Sequence, residues 1–380
     1  MATANNTSKE NSVRDVKIKI IGVGGGGGSI ITNISTHLTK VMFCAVNTDI
    51  HALEEAAKNK KVKTVAFGSN ITGGLGTGMD IKIGRKAAEE DIDSVKKLFE
   101  GQDVVILVSS LGGGTGSGAT PYFASVAKQM GSLVYGVFTL PFELEGEKKM
   151  RVAKEAIKES APHLHAITII PNEKIFEVVE KNTPLGAALE VINKNLANGL
   201  EGLIETIYET GVINIDFADI KTVLENRKGL RKLTYINTIE AKLEEGAEQI
   251  VKKAVSNPLY PYKIEKAKGV LFNITGGKDI GLADFSAISE SITSFTDDDA
   301  KIIIGSMQKN KLKNKVRIAL LATGCETDFL KKELIEEGSS LTVKKEEKTK
   351  KIKNKEKKKT NNKKVNNNDK KNSKRKKRKQ

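Results

Sequence analysis

Residues 103–118 read DVVILVSSLGGGTGSG, a β-rich apolar run followed at once by a loop with five glycines. A helix candidate begins at about residue 118, so the glycines lie where a strand passes into a helix. Glycine lets backbone N–H groups approach an anion closely, and the start of a helix adds about half a positive charge. This stretch predicts an open α/β sheet that binds its ligand at the carboxyl ends of the strands.

The same order of strand and helix recurs along residues 17–171, which is typical of a parallel sheet covered by helices. The strand candidates are KIKIIGV, FCAVN, DVVILVSS, LVYGVF and AITIIP, and the helix candidates lie at about 29–40, 50–57, 80–99, 118–130 and 146–160. After Pro184 a helical pattern without proline runs to about residue 209. It predicts one long, mostly buried connecting helix.

A second set of elements begins at about residue 230. It comprises a helix near 239–255, a strand GVLFNIT, a helix near 282–295, and strands AKIIIGSM and KVRIALLAT. We expect the last three strands to lack intervening crossover helices throughout. We therefore expect a second α+β domain with a mixed or antiparallel sheet.

Two more glycine loops accompany the one at 112–118. Gly24 to Gly28 follow the first strand and precede a helix expected to open with Ser29, and the 73–78 loop reads GGLGTG. Three such loops at one edge of a sheet indicate a polyphosphate ligand. The sequence contains no G-x-x-x-x-G-K-[ST], which excludes the P-loop arrangement. Phosphate charge must then be met by backbone amides, by Thr and Ser hydroxyls and by Mg²⁺.

A dinucleotide fingerprint is the alternative interpretation of the first loop. Gly22, Gly24 and Gly27 satisfy G-x-G-x-x-G, and Asp49 lies 22 residues further on, at the end of the next strand. This pattern would make the chain an NAD-dependent oxidoreductase of Rossmann type, with Asp49 on a ribose. It leaves the other two glycine loops unexplained.

Composition excludes several classes of protein. Only Cys44 and Cys325 are present, too far apart for a disulfide framework or a zinc site, and the four histidines show no metal-ligand spacing. No stretch approaches the roughly 20 apolar residues of a membrane span, and the first residues are polar, so we expect a cytosolic protein. The lysine-rich segments 58–63 and 309–315 are interpreted as solvated loop charge.

The net charge of +16 belongs to one segment. Residues 344–380 carry 20 Lys or Arg and 4 acids, which accounts for the whole excess and leaves the rest of the chain neutral. The segment is rich in Lys and Asn and contains no aromatic residue, so we predict that it is disordered.

GGGTGSG resembles the signature loop of the tubulin and FtsZ family, and residues 17–324 resemble FtsZ throughout. IGVGGGGGS, AVNTD and ITGGLGTG resemble the other phosphate loops, TLPFELEGEKK the ribose loop, IIPNEKI a guanine loop, and GVINIDFADIKTVL the catalytic loop; GVLFNITGG and IIIGSM resemble the C-terminal domain. The resemblance implies a GTPase that binds GTP or GDP with Mg²⁺ and polymerises head to tail. It also implies a cytoplasmic protein that forms the division ring at midcell.

The resemblance implies roles for individual residues. The catalytic set is Asn214, Asp216 and Asp219, which would enter the nucleotide site of the next subunit, where the two aspartates polarise a water against the γ-phosphate. The nucleotide-binding set is Gly24, Gly25, Gly26, Ser29, Asn47, Asp49, Gly76, Thr77, Gly78, Gly112, Gly113, Gly114, Thr115, Gly116, Thr139, Pro141, Glu145, Lys149, Asn172, Asn193 and Lys194. Glu145 would hold the ribose hydroxyls, with Thr139 and Pro141 shaping that wall. Two carboxylates three residues apart, at the start of a short helix near Asp219, would project together.

Three departures from the family pattern matter. Lys149 replaces an arginine and loses its planar fork, while Leu189 and Lys194 stand where the family has a phenylalanine that covers the base and an aspartate that accepts from guanine. Lys194 could donate to guanine O6 or simply extend to solvent, with Asn172 and Asn193 as alternative readers. The third departure is the last stretch, KKVNNNDKKNSKRKKRKQ, which does not resemble the apolar peptide that docks on membrane-tethering partners.

The basic tail therefore suggests other partners. It could bind anionic lipid, nucleic acid through counterion release, or acidic filament surfaces. A tubulin-like filament that segregates DNA is accordingly the alternative to a division ring. The predicted organisation is a disordered N-terminus at 1–15, a nucleotide-binding GTPase domain at 16–183, a connecting helix at 184–210, the catalytic loop and following helix at 211–229, an α+β domain at 230–330, and a disordered tail at 331–380.

Overall fold

The computed structural model describes residues 15–224, 232–265 and 267–327, all of which belong to one compact unit. The expected disordered N-terminus, the end of the expected 211–229 segment and the basic tail lie outside these residues, and the domain boundaries stay predictions. No helix in the described part of the chain is long and apolar enough to cross a membrane.

A six-stranded parallel sheet occupies the first half of the chain, as predicted. Its strands are β1 (Ile18–Val23), β2 (Met42–Asn47), β3 (Val62–Ala66), β4 (Val104–Ser110), β5 (Leu133–Leu140) and β6 (Ala166–Pro171), in the order β3-β2-β1-β4-β5-β6. β1 and β4 are neighbours, and the strand order runs outward in both directions from this pair. Such a switch point leaves a crevice at the carboxyl ends of the strands, where open α/β sheets bind ligands.

The helices of this half are α1 (Gly24–Ile34), α2 (Ile50–Ala57), α3 (Ser69–Thr72), α4 (Ile81–Glu90), α5 (Ile92–Phe99), α6 (Gly114–Gln129) and α7 (Glu147–Ser160). Right-handed crossovers that move in opposite directions from β1 and β4 place α1 and α6 on opposite faces of the sheet. The sequence analysis did not predict β3, a short strand whose amino-terminal flank is rich in lysine. The expected helix at 80–99 is two helices that meet at Asp91.

The start of α1 corrects the expectation that the helix opens with Ser29. The helix begins at Gly24, whose φ of +76° makes the turn out of β1. A Cβ on Gly26 would lie 2.4 Å from Ser110 Cβ, and one on Gly27 would lie 2.4 Å from Val108 O. Close packing on β4 therefore overrides the low helix propensity of glycine. In the same way α6 begins at Gly114, four residues before its predicted start.

The connecting helix α8 (Leu185–Tyr208) has 24 residues and is about 36 Å long. It begins in the segment that follows the carboxyl end of β6. At its other end the Tyr208 hydroxyl donates to Val16 O at 2.6 Å, just before β1 begins. The helix therefore runs from the carboxyl edge of the parallel sheet to its amino edge.

A mixed sheet forms the second half, as predicted. Its strands are β7 (Thr234–Lys242), β8 (Gly269–Gly276), β9 (Lys301–Gln308) and β10 (Lys315–Thr323), in the order β7-β10-β8-β9, and its helices are α9 (Phe217–Leu224), α10 (Ala247–Val255) and α11 (Leu282–Thr293). β10 is antiparallel to both neighbours. β8 and β9 are parallel and joined by α11, so the expectation about crossover helices was wrong for this pair. The expected helix near 239–255 was wrong in its first part, because residues up to Lys242 pair with β10.

Candidate nucleotide-binding and hydrolysis site

The 24–28 loop forms the first turn of α1 and touches the start of α6. A Cβ on Gly24 would lie 2.9 Å from Gly116 N, so the two helix starts are in contact across the switch point. Gly25 and Gly26 are exposed, as is Ser29 one turn along the helix. The first N–H groups of a helix have no partner within it, so this turn offers free donors to an anion.

The 112–118 loop places a second helix start beside the first. Gly112 has a φ of +112° and donates its N–H to Ser117 Oγ at 2.8 Å, which holds the loop against its own helix. A Cβ on Gly113 would meet nothing within 4 Å, so its surface is open. A Cβ on Gly114 would lie 2.2 Å from Thr77 Oγ1, so this glycine is needed for contact with the 73–78 loop.

Three buried hydroxyls join two of the glycine loops to the end of β2. The Thr48 and Thr115 hydroxyls lie 2.8 Å apart, and those of Thr77 and Thr115 lie 3.4 Å apart. Thr48 follows β2, Thr77 belongs to the 73–78 loop and Thr115 lies in the first turn of α6. Together with the contact of Gly24 with Gly116, these contacts bring together three glycine loops that the sequence places up to 94 residues apart. Sequence analysis missed Thr48, although it lies between the two predicted residues Asn47 and Asp49.

The 73–78 loop is shaped by glycines in left-handed conformation. Gly76 and Gly78 have φ of +83° and +57°, and the backbone N–H of Gly76 donates to Thr48 O at 3.3 Å. Asn47 Oδ1 accepts from Thr48 N, while Asp49 Oδ1 accepts from Ala52 N at 3.3 Å and caps α2. The Asp49 carboxylate therefore has a structural partner, which weakens the dinucleotide interpretation.

The expected ribose wall lies beside the 112–118 loop. A Cβ on Gly112 would lie 3.4 Å from both Pro141 Cγ and Lys149 Cβ, so these residues contact the loop directly. Thr139 is buried in β5 and its carbonyl accepts from Leu111 N at 3.0 Å.

Glu145 is held at both carboxylate oxygens. Oε1 accepts from Phe142 N and Oε2 from Lys149 Nζ, each at 2.9 Å. Partial burial raises the pKa of Glu145, but the hydrogen bonds from Lys149 and Phe142 outweigh it and the pKa is lowered overall. Glu145 is therefore an ionised acceptor at neutral pH, as the binding of two ribose hydroxyls requires.

The expected base end is less well defined. Asn172 is buried at the carboxyl end of β6, Asn193 is half-buried on α8, and Lys194 is exposed on the outer face of that helix. Leu189 is half-buried. An aromatic residue that the sequence analysis missed, Phe176, lies in the turn after β6.

Phe176 is more than half exposed and packs on Phe142 with ring centroids 5.8 Å apart. An exposed aromatic ring at this edge is a candidate surface for a base. The fragment IIPNEKIF contains it, but nothing in the local pattern distinguishes it from a core residue.

The expected catalytic loop, residues 211–219, carries its three polar side chains in a hydrogen-bonded turn. Asp216 Oδ1 accepts from Asp219 N at 2.7 Å and Asp219 Oδ2 accepts from Asp216 N at 3.3 Å, a reciprocal cap on α9. Asn214 Oδ1 accepts from Gly211 N at 2.6 Å. The helix begins at Phe217, two residues before the predicted start. Asn214 and Asp216 are exposed.

The loop is fixed to the edge of the second sheet. Val212 N and Ile213 N both donate to Ser306 O in β9, at 2.7 and 3.2 Å. Ile215 is buried and packs over Gly305, where a Cβ would lie 2.7 Å from its Cδ1. The carboxylates are thus presented from a held backbone.

The catalytic loop and the glycine loops lie at opposite edges of the parallel sheet. The glycine loops follow the carboxyl ends of the strands, whereas the catalytic loop begins at the end of α8, beside the amino end of β1. One chain therefore does not bring Asp216 to its own phosphate-binding loops.

Comparisons with known proteins show the family of this chain. Residues 17–180 match the family model of the tubulin/FtsZ GTPase domain, and residues 233–326 match the FtsZ C-terminal domain. The cell division protein FtsZ of Buchnera aphidicola (subspecies Baizongia pistaciae) is 38% identical over 82% of this chain and 79% of its own, and that of Coxiella burnetii is 37% identical over 83% and 80%.

Solved structures give the same result. FtsZ of M. jannaschii, solved as an empty dimer, superposes with a TM-score of 0.71 at 36% identity over 82% of this chain and 89% of that one. CetZ2 of Haloferax volcanii shares the fold, with a TM-score of 0.69 at 19% identity over 87% of this chain and the whole of that one. The chain contains a tubulin-type GTPase domain, and it belongs to the FtsZ family of cell division GTPases.

Proposed function

We propose that this chain assembles head to tail into filaments, and that the catalytic loop of one subunit completes the nucleotide site of the next. The observation that carries the proposal is the placement of the two half-sites at opposite edges of one subunit. The helix between them is about 36 Å long. A reaction that needs both the glycine loops and the aspartates therefore requires two subunits stacked in the same direction.

The phosphates of GTP would lie on the amides of the glycine loops. Gly25 and Gly113 have open surfaces at helix starts, and Gly26 is exposed beside them. Backbone donors and the helix dipole favour anions there. None of the three loops contains a lysine or arginine, and the nearby Lys149 is engaged with Glu145.

Mg²⁺ fits this donor set. The described residues contain no group of three His, Cys, Asp or Glu that could hold a metal ion by itself. Mg²⁺ commonly keeps several waters and binds mainly through substrate phosphates, with few protein ligands. Thr77 and Thr115 offer hydroxyl oxygens beside the expected phosphates, and the ion would supply charge neutralisation there.

Asn214, Asp216 and Asp219 would act on the water that attacks the γ-phosphate. Their side chains project from a turn held by α9 and β9, and a carboxylate can orient a water and accept its proton. Since one turn carries all three, their relative positions are set before the subunits meet. This favours catalysis that begins only on assembly.

We infer that guanine is read by Asn172, Asn193 or Lys194. Lys194 is exposed and carries donors only, so it suits guanine O6 but cannot accept from N1–H. Loss of an acceptor for guanine leaves donors unpaired, which commonly costs about 1 to 3 kcal/mol each. The replacement of the family's aspartate by Lys194 is therefore expected to affect the discrimination between GTP and ATP most.

The cellular role follows from the family. We propose a cytoplasmic division ring at midcell, with the chain itself as the main partner. We still predict that the basic residues 344–380 bind anionic lipid or nucleic acid. They would replace the family's apolar peptide that docks on membrane-tethering partners.

The test is phosphate release measured against protein concentration, with GTP and ATP in parallel and Mg²⁺ present. A shared site predicts a threshold concentration below which turnover is absent. A threshold with ATP as well as GTP would show that the residues expected to bind the base do not discriminate guanine from adenine. Turnover proportional to concentration from the lowest dilution would contradict the shared site.

A further inference from the structure

Six charged side chains form a continuous ladder along α8 and the second sheet. In order they are Glu201, Arg317, Glu205, Lys309, Glu209 and Lys40. Arg317 lies 2.7 Å from Glu201 and 3.0 Å from Glu205, measured between nitrogen and oxygen. Lys309 lies 3.0 Å from Glu205 and 2.9 Å from Glu209. Neighbouring members alternate in sign, and Glu205 is shared by two cations.

The ladder joins three parts of the fold. The three glutamates are spaced by four residues, which places them in one stripe on α8. Arg317 belongs to β10, and Lys309 directly follows β9, with its N–H donating to Gly276 O at 2.8 Å. Lys40, 3.7 Å from Glu209, precedes β2 at the amino edge of the parallel sheet. The expectation that Lys309 is solvated loop charge was therefore wrong.

The members are only partly exposed. The Arg317 side chain is 15% exposed and that of Glu205 is 23% exposed, so water screens them less than free surface charges. Burial acts to lower the pKa of Lys309, but its hydrogen bonds to Glu209 and Glu205 outweigh burial and raise that pKa overall. Burial likewise acts to raise the pKa of Glu209, but the hydrogen bond from Lys309 helps to lower it overall. Both shifts favour the charged forms, so the Lys309–Glu209 ion pair is kept at neutral pH.

The ladder ends where the catalytic loop begins. Glu209 is the residue that caps the carboxyl end of α8, and Gly211 starts the loop. Lys309 lies three residues beyond Ser306, whose carbonyl holds Val212 and Ile213. Lys309 thus ties the end of the helix to the same strand that holds the loop. The two anchors, one side chain and one backbone carbonyl, lie on either side of the loop's first turn.

We propose that Lys309 is a positioning residue for hydrolysis in the neighbouring subunit, acting through Glu209 on the catalytic loop. The inference rests on the proposed shared site. In this role Lys309 acts through its ion pair and not on the reacting groups, by setting the angle at which α8 delivers Asn214 and the two aspartates. A displacement of about 1 Å at a reacting centre can lower turnover by about 100-fold.

The experiment compares five full-length chains with wild type: K309M, K309R, E209Q, the double variant E209Q/K309M, and K311M. Lys311 is an exposed lysine of the same segment outside the ladder and serves as the matched control. Each protein is assayed for GTP binding as a monomer, for threshold concentration, and for turnover per subunit above threshold. Monomer binding reports folding of the glycine loops independently of the catalytic loop.

K309M is expected to bind GTP normally and to lower turnover above threshold by about 10-fold or more. K309R retains the charge and is expected to lie within about twofold of wild type, as is K311M. E209Q and the double variant are expected to match K309M, because both residues act through one contact.

Equal turnover of K309M and K311M would overturn the proposal, as would losses in E209Q and K309M that multiply in the double variant. Loss of GTP binding in K309M would also overturn it, by showing a structural role. These outcomes are distinct from failure of the shared site, which wild type alone reveals if its turnover shows no threshold.

Discussion

Replacing Asp216 with serine separates two roles of its side chain. The carboxylate caps α9 by accepting from Asp219 N at 2.7 Å, and we propose that it also acts on water in the next subunit. Serine caps a helix about as well as aspartate but carries no charge. D216S therefore keeps the cap and removes the carboxylate, whereas D216A removes both.

The structure sets the size of each effect. Loss of the cap in D216A is expected to lower the free energy of unfolding by about 1 kcal/mol, while D216S stays within a few tenths of a kcal/mol of wild type. Loss of a general base costs about 10²-fold to 10⁴-fold in rate. Both variants should therefore lose turnover by about 100-fold or more, and both should bind GTP normally, because the glycine loops lie at the other edge of the subunit.

The assay uses the threshold concentration. Wild type is held below its threshold, where it shows no turnover, and D216S is added until the total exceeds the threshold. Each wild-type subunit in a mixed filament then offers its intact loop to a neighbouring nucleotide site, including sites on D216S. Turnover is expected to appear in the mixture although neither protein shows it alone, with pelleting of filaments and D216S alone as controls.

Two results would refute the reasoning. If D216S keeps its turnover while D216A loses it, the side chain matters only as a helix cap. If mixed filaments form but turnover stays at the level of the two separate proteins, the carboxylate does not act between subunits.

Three further predictions follow from the packing and the titrating groups. G113A should leave the thermal unfolding temperature unchanged but weaken GTP binding, since a Cβ there meets only the space expected for phosphate. G118A should instead lower the unfolding temperature, because its Cβ would lie 2.2 Å from a carbonyl of α4 and overpacking costs about 1 to 3 kcal/mol. The pKa of Glu145 is lowered from its ordinary value of 4.5, so its contribution to stability is present above pH 4.5 and is lost as the pH falls through the lower folded pKa. The difference in unfolding temperature between wild type and E145Q should therefore shrink over that acid range. Because the Glu145 side chain is 28% exposed, its contribution to the free energy of unfolding is at most about 1 kcal/mol. Burial raises the pKa of Cys44 to about 11 and that of Cys325 to about 12, so a thiol reagent at pH 8 should label neither cysteine until the protein is denatured, and rapid labelling of the native protein would contradict the burial.

Much of the fold could be predicted because its signals are local. Apolar runs such as DVVILVSS and the glycines after them report strand and turn within a few residues, whatever the rest of the chain does. Elements set by long-range pairing were missed. The residues of β7, TYINTIEAK, overlap the predicted helix near 239–255, and only their pairing with β10 shows that they form a strand. β3 was not predicted because it is an edge strand that follows a lysine-rich segment.

The candidate site divides in the same way. Glycine runs placed after strands predicted the three phosphate loops, and the resemblance of GVINIDFADIKTVL to a family loop predicted the catalytic turn. The contacts of Thr48 with Thr115, of Gly24 with Gly116 and of Phe176 with Phe142 join residues far apart in sequence, and no local pattern carries them. Asp49 is the opposite case. Its position in the sequence suggested contact with a ligand, whereas in the structure its carboxylate caps α2.

By itself the sequence determined the α/β class, the order of the glycine loops and the concentration of positive charge in residues 344–380, since composition and short-range spacing suffice for each. Only the tertiary structure decided that α1 and α6 begin inside glycine runs, that the glycine loops and residues 211–219 lie at opposite edges of the parallel sheet, and that Lys309 belongs to a ladder of charges. Those features depend on which distant backbones approach one another. That approach is set by burial of the whole core and by strand register, which no short segment encodes.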